Sequence, residues 1–501
     1  MVDRGAVLVV AFFFASGCGE SSSDPAGHPA SGGSGGDAGS GGHSSGMGPA
    51  GGGGTSAGGS SSGGSDSGGS GQAGGEAGSG AAGSDPNGPL DTVPPPGATW
   101  TLPSGDAFNA TPPVLAASRT GIVIAGATSD TELAGVPEFP SGVVAEAFVA
   151  ELDRDGAVVW TTPLPSAGMP SAVVVEPGGD VLVVAPFVPD ATSIIPGQHT
   201  DSVLLVRLDA SGNVLKEREL AFGAGTIAEG LAVDATGAIY IAGSRIPDDD
   251  FPNEYVLLAK YDAEGEELET KVFEHVGSTA YASSVVVTAD GDVLMAGVFN
   301  GSVNLGGDDL ETDALVGSSK MPNGFIARFT PDGEHLDSRT FGGTIFDGAT
   351  ALTALDDGDV LLAGWLSGVA NVGGGSVAAD EGDGSAFLAR LAPSGDARWV
   401  SLAAATGSSY AIVTDPNEGR FYVAGNLGER DYLAELSASG ELGRSARSAS
   451  GKLTGRSAAV DARGSIWISG EFTGELDLGN DNVIAGGDTG VCLLRLDRAS
   501  E

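Results

Sequence analysis

Asp359-Val-Leu-Leu-Ala-Gly364 is a strand-like motif that decides the fold, because it recurs along the chain. The same pattern returns as Gly121-Ile-Val-Ile-Ala-Gly126, Asp180-Val-Leu-Val-Val-Ala-Pro186, Ala238-Ile-Tyr-Ile-Ala-Gly243, Asp292-Val-Leu-Met-Ala-Gly297, Arg420-Phe-Tyr-Val-Ala-Gly425 and Ser465-Ile-Trp-Ile-Ser-Gly470. A second element follows each copy: Phe148-Val-Ala-Glu-Leu-Asp153, Leu204-Leu-Val-Arg-Leu-Asp209, Leu257-Leu-Ala-Lys-Tyr-Asp262, Phe325-Ile-Ala-Arg-Phe-Thr330, Phe387-Leu-Ala-Arg-Leu-Ala392, Tyr432-Leu-Ala-Glu-Leu-Ser437 and Val491-Cys-Leu-Leu-Arg-Leu-Asp497. Self-similarity at such spacing means that each unit buries its apolar face against its neighbours. The expected fold is all-β, a seven-bladed β-propeller over residues 98–501. Spacing wanders between Gly425 to Gly470 and the longer Gly297 to Gly364, and Pro186 stands in place of a glycine, so six to eight blades fit the pattern.

Each repeat parses into four strands. In one unit these are Gly348-Ala-Thr-Ala-Leu-Thr-Ala-Leu355, the motif at Asp359, Ala386-Phe-Leu-Ala-Arg-Leu391 and Asp396-Ala-Arg-Trp-Val-Ser-Leu402, separated by Gly/Asp turn signals. The last repeat reaches Glu501 without a fourth strand. An unmatched one lies at the other end, where Gly97-Ala-Thr-Trp-Thr-Leu-Pro103 places Trp100 as Trp160 and Trp399 are placed in their repeats. The N-terminal strand is therefore expected to complete the C-terminal blade and remove the open edge.

Three copies carry a further element after the second strand: Phe299-Asn-Gly-Ser-Val-Asn-Leu-Gly-Gly307, Leu366-Ser-Gly-Val-Ala-Asn-Val-Gly-Gly374 and Phe472-Thr-Gly-Glu-Leu-Asp-Leu-Gly479. With these, the units resemble the SBBP-type β-propeller repeats of bacterial exported proteins, many of them lipoproteins. The resemblance implies a fold and an exported setting, and no fixed activity travels with it.

Residues 1–17 contain Arg4 and then the apolar run Ala6-Val-Leu-Val-Val-Ala-Phe-Phe-Phe14, the pattern of a signal peptide. Ala15-Ser-Gly-Cys18 resembles the lipobox of bacterial lipoproteins, with Ala15 where Leu is commoner. That resemblance implies lipidation at Cys18, and Gly19 implies sorting to the outer membrane. Residues 18–97 are almost wholly Gly, Ser and Ala, too poor in apolar surface to offset ordering entropy. Such a tether has a root-mean-square reach of roughly 50 Å. The expected localisation is an exported outer-membrane lipoprotein, surface-exposed, anchored in the membrane through Cys18.

A net charge of −43 argues against nucleic acid as a partner. Cations or basic molecules are the better company. Of the two cysteines, Cys492 falls in a strand and reads as a small buried hydrophobe. The long loops gather Asp248-Asp-Asp250, Asp308-Asp-Leu-Glu-Thr-Asp313, Asp380-Glu-Gly-Asp383 and Asn480-Asp-Asn482 with Asp488. Carboxylates with Asn are hard oxygen ligands, so Asp308, Asp309, Asp313, Asp380, Asp383, Asp481 and Asp488 are the candidate ligands, calcium the candidate cofactor. Catalytic patterns are lacking: His199, His275 and His335 are isolated and read as surface histidines, and Gly54-Thr-Ser-Ala-Gly58 lies in the tether, where no nucleophile elbow forms. No catalytic residue is named. The reading is a monomeric, lipid-anchored, surface-displayed β-propeller that binds or scaffolds a surface protein or polysaccharide. Its alternative is a calcium-dependent extracellular hydrolase or lyase.

Overall fold

The computed structural model describes residues 98–102, 112–128, 146–189, 200–246, 253–277, 279–312, 315–316, 319–343, 345–382, 384–415, 418–479 and 482–497. The signal segment, Cys18 and the tether lie outside these residues. Every regular element described is a β-strand.

The building unit is an antiparallel sheet of four consecutive strands. Gly348–Ala354, Val360–Leu366, Ser385–Leu391 and Ala397–Leu402 hydrogen-bond in that order. Val114–Ala117, Gly121–Thr128, Glu146–Asp153 and Val158–Leu164 repeat the arrangement, as do Gly407–Asp415, Arg420–Leu427, Asp431–Leu436 and Leu442–Arg447. Ala280–Val287, Val293–Phe299, Asn323–Phe329 and His335–Gly343 form another, extended by Val369–Asn371 and Ser376–Ala378 of the following repeat. Between Ala172 and Phe273 two units merge, because Val214–Val233 is the fourth strand of one and the first of the next. It turns that corner at Gly223 and Gly225, whose φ angles of 90° and 71° suit glycine. Finally, Leu453–Val460, Ile466–Asp477 and Asn482–Leu496 are joined by Ala98–Leu102, with Ala98 opposite Arg495 and Leu102 opposite Val491.

The first strands of successive sheets touch one another, and Val114–Ala117 touches both Ala172–Val175 and Leu453–Val460. Second strands are apolar and enclosed; all of Val293–Phe299 is buried. Fourth strands such as Val158–Leu164 are half-exposed. Sheets stacked face to face with their first strands innermost make a β-propeller. Its core is Val, Leu, Ile and Ala between sheets, with Phe148, Phe299, Phe325 and Phe387 among the largest fully buried side chains.

The repeated glycine has a local cause. The ladder between first and second strands slips by one residue at Glu229, Ser283, Thr350, Tyr410 and Arg456, each a β-bulge. At every bulge the carbonyl two residues earlier is pushed against the motif glycine. A Cβ on Gly243, Gly297, Gly364 or Gly425 would overlap the oxygen of Ile227, Tyr281, Gly348 or Ser408 respectively. Where Pro186 replaces the glycine, Gly168 supplies the close approach instead, its N–H donating to the Pro186 carbonyl at 2.7 Å.

The turns between first and second and between third and fourth strands are tight. Gly156 N–H donates to the Asp153 carbonyl, Gly212 to Asp209, Gly395 to Ala392 and Gly440 to Ser437, at 2.7–2.9 Å. Turn acids cap the same turns, as Asp153 Oδ1 accepts from the N–H groups of Asp155 and Ala157. Asp153-Arg-Asp-Gly156 is thus a turn.

Neighbouring sheets are latched through these turns. Residues four and six beyond each turn glycine lie across the next unit's turn: Trp160 covers Gly212, Arg339 covers Gly395 and Trp399 covers Gly440. Trp399 Nε1 donates to the Ala438 carbonyl at 3.1 Å, Thr162 Oγ1 to the Gly212 carbonyl at 2.5 Å and Arg339 Nη2 to the Ser394 carbonyl at 2.9 Å. Third-strand cations do the same, Lys260 reaching the Pro331 carbonyl and Arg328 that of Pro393, each at 2.5 Å.

Candidate functional site

The acidic candidates whose side chains are described, Asp308, Asp309 and Asp380, lie in two separate loops. Asp308 and Asp309 are exposed on a turn, where Asp309 Oδ1 accepts from Asn304 Nδ2 at 2.8 Å. Asp380 Oδ1 accepts from the Gly382 N–H at 2.9 Å, an ordinary side-chain turn. Asp313, Asp383 and Asp481 fall outside the described residues, as do Asp248–Asp250; Asp488 lies on the strand Asn482–Leu496, its side chain outside the description. Among the described residues no group of three or more His, Cys, Asp or Glu is arranged to hold a metal ion.

The loop elements around them fasten sheets together. Val369–Asn371 pairs with the end of His335–Gly343, Asn371 opposite Gly342. Ser302–Val303 pairs with His275–Val276, and Asp477 bridges to Ser450. In all three copies the leucine or valine before the glycine is buried: Leu305, Val372 and Leu478. These loops are packing devices, which the glycine-rich pattern did not disclose.

That packing corrects the surface reading of the histidines. His275 is only 8% exposed, its ring edge-on to Tyr255 at 5.8 Å. The half-buried His335 lies edge-on to Phe329 at 5.8 Å and fills the space beside Gly306 and Gly307. His199 lies outside the described residues. Cys492 is fully buried and its thiol is pushed up to about 12 by that burial, so it is a core residue.

A different group of polar residues gathers on the innermost strands. The bulge position, five residues before the first turn in these five units, differs in residue type from copy to copy: Ser283, Thr350, Glu229, Tyr410 and Arg456. Ser283 Oγ donates to the Ala349 carbonyl at 2.9 Å and Thr350 Oγ1 to the Ser409 carbonyl at 2.7 Å, so the small residues stitch neighbouring first strands together. Large residues at that position reach beyond it. The Arg456 guanidinium lies over the Tyr410 ring, 4.3 Å from its centroid, and Arg456 Nε donates to Glu471 Oε1 at 2.9 Å.

Glu229 holds the bulge position of its own sheet. Its Oε2 is sealed from solvent and has no hydrogen-bond partner among the described residues. Burial, then the charge of Glu254, holds its carboxyl well above the usual range. Tyr281, two residues before a bulge, is also raised, by burial and then by Glu229, Glu254 and Tyr410. Arg456 and Tyr410, from two different sheets, therefore touch at their bulge positions. The sequence signal was there, a position five residues before the first turn whose residue type changes from copy to copy. Reading it required knowing that the bulge turns this position out of the ladder.

No family model matches the chain, and no curated protein matches it. Among solved structures, it is similar to the Neurospora crassa Pan2 WD40 domain at 9% identity, over 82% of this chain and 91% of that one, with a TM-score of 0.42. The Myceliophteria thermophila Cps50 (Swd1) β-propeller domain matches at 9% identity over 80% and 100% of the two chains, TM-score 0.42. The Dos1 propeller matches at 11% identity over 80% and 94%, TM-score 0.41. At these identities the likeness carries nothing about activity.

Proposed function

We propose that the chain is a lipid-anchored, surface-displayed β-propeller of seven blades, closed by its N-terminal strand, that binds or scaffolds a partner rather than catalysing a reaction. The observation that carries the binding role is the bulge position: on a latched repeat it differs from copy to copy, and large side chains stand there on innermost strands. Binding sites are diverse groups held by a uniform scaffold. Closure is supported by the pairing of Ala98–Leu102 with Asn482–Leu496. It is also supported by contacts of the last repeat with the first unit's turn, Arg495 Nη1 donating to the Arg154 carbonyl at 2.7 Å and Arg463 facing Asp155 at 3.3 Å.

Anchorage rests on Ala15-Ser-Gly-Cys18 and the glycine-rich stretch after it. In a Gram-negative host fed an alkyne fatty acid, the chain should take up label that Cys18→Ser abolishes, and protease added to intact cells should remove the propeller. An unlabelled chain free in the medium would contradict the anchor. Chelator-sensitive cleavage of an extracellular polysaccharide would contradict the non-catalytic role and restore the calcium-dependent hydrolase or lyase.

A further inference from the structure

One junction between sheets is hollow where its neighbour is filled. Between the strand Glu267–Phe273 and the sheet of residues 280–343, aromatic rings occupy the groove. His275 lies edge-on to Tyr255 at 5.8 Å, Phe273 beside Phe329 at 5.9 Å and Phe329 edge-on to His335 at 5.8 Å. The ladders fix which residues hold the same places one junction later, between the sheets of residues 280–343 and 348–402. Asn323, opposite Phe299, stands where Tyr255 stands opposite Arg245. Gly343, opposite Ala370, takes the place of His275 opposite Val303. Leu391 and Ala397, paired with each other, take the places of the pair Phe329 and His335. Four ring-bearing side chains thus give way to a carboxamide, a glycine, a leucine and an alanine. Packed interiors leave few voids. Here a cleft of about 330 Å³ lies open, within the ~300–1,000 Å³ of small-ligand sites.

The cleft is lined on two chemical principles. Ile326, Phe341, Leu362 and Leu391 give it apolar walls, and all four are buried. Asn323, Asn371, Thr340 and Glu311 add side-chain donors and acceptors. Its one lining cation is already engaged, because Arg339 Nη2 donates to Asp337 Oδ2 at 2.6 Å and to the Ser394 carbonyl at 2.9 Å.

We propose that this cleft is a binding site for a neutral pyranose ring. Such a ring has apolar faces for the aliphatic walls and hydroxyl edges for the carboxamides, the Thr340 hydroxyl and the Glu311 carboxylate. An aromatic side chain would set those polar groups against a surface that cannot hydrogen-bond to them. An anion would compete with Asp337 for Arg339 and would meet Glu311. The site goes beyond the role proposed for the bulge positions, because it is built from outer strands and loop residues and takes a small ligand of stated chemistry.

The test is saturation-transfer NMR on the full chain with the methyl glycosides of glucose, galactose, mannose and N-acetylglucosamine, and with p-cresol in place of a tyrosine side chain. At least one glycoside should receive saturation. The linear tetramer of that sugar separates the sources: tighter binding than the single unit assigns the cleft to a polysaccharide, equal binding to a free sugar, and either supports the site. Asn323→Tyr with Leu391→Phe rebuilds the filled junction and should abolish the transfer, with circular dichroism confirming the fold. Thr340→Val changes an exposed side chain to the type of its counterpart Val272; it should weaken binding about fivefold through one lost hydrogen bond, and it decides the matter if the filled pair does not fold. Transfer to no glycoside overturns the site, as does binding that both variants leave unchanged. Transfer to p-cresol alone also overturns it and gives the cleft to an aromatic side chain of a protein partner. In each case the wider binding role is judged separately, by the cell-surface experiment.

Discussion

The motif glycine and the bulge opposite it show how one residue type is forced. A Cβ at Gly364 would overlap the Gly348 carbonyl, so the glycine is needed for approach and not for a rare φ. Asp347 shows the reverse case, an acid held where water is absent. It is fully buried; its oxygens accept from the N–H groups of Gly343 at 2.8 Å and Ser367 at 2.9 Å. Burial outweighs those two donors and pushes its carboxyl up to about 6 from 3.8. The folded state therefore holds the proton more tightly than the unfolded one between those values, so this group's contribution falls as pH rises through the window. Asp347→Asn should flatten the dependence, gaining up to about 3 kcal/mol relative to the parent between pH 4 and pH 7. Parallel stability curves in denaturant titrations across that range would contradict the assignment. None of this was legible beforehand, because burial depends on the packing of neighbouring sheets and one of the two donors, Ser367, lies 20 residues away.

At the scale of strands and turns, much was legible. Apolar runs ending in Ala-Gly located the second strands, and a terminal acid or hydroxyl located the turns after the third, because alternation and turn chemistry are local properties. What joins one sheet to the next was not, since those contacts pair residues of different repeats. The tryptophans illustrate this. Trp160 and Trp399 were matched by position, yet their shared task of covering the next unit's turn glycine emerged only in three dimensions. Trp399→Ala should cost about 2–3 kcal/mol, reflecting a half-buried ring, whereas Trp399→Phe should cost about 1 kcal/mol, reflecting the lost hydrogen bond to Ala438. Denaturation midpoints of the two variants check the latch; equal losses would show that the ring adds nothing beyond the hydrogen bond. Clustering of the loop acids in sequence suggested a metal site; of those acids, Asp309 and Asp380 take part in local turns, in loops that fasten neighbouring sheets.

For the whole molecule, the decisive question is whether the ring is closed by strand Ala98–Leu102. A propeller left open would expose one sheet edge, and the latches would end at an unfilled partner. The register makes closure testable with a native residue, because Thr101 lies directly opposite Cys492. The measurement is disulfide formation in a Cys18→Ser background after treatment with an oxidant, followed by peptide mapping. Thr101→Cys should cross-link to Cys492, joining the two ends of the propeller, while Thr99→Cys, which lies opposite Leu494, should leave both thiols free. Free thiols in the Thr101→Cys protein, or a cross-link from position 99 instead, would contradict the closure on which the account rests.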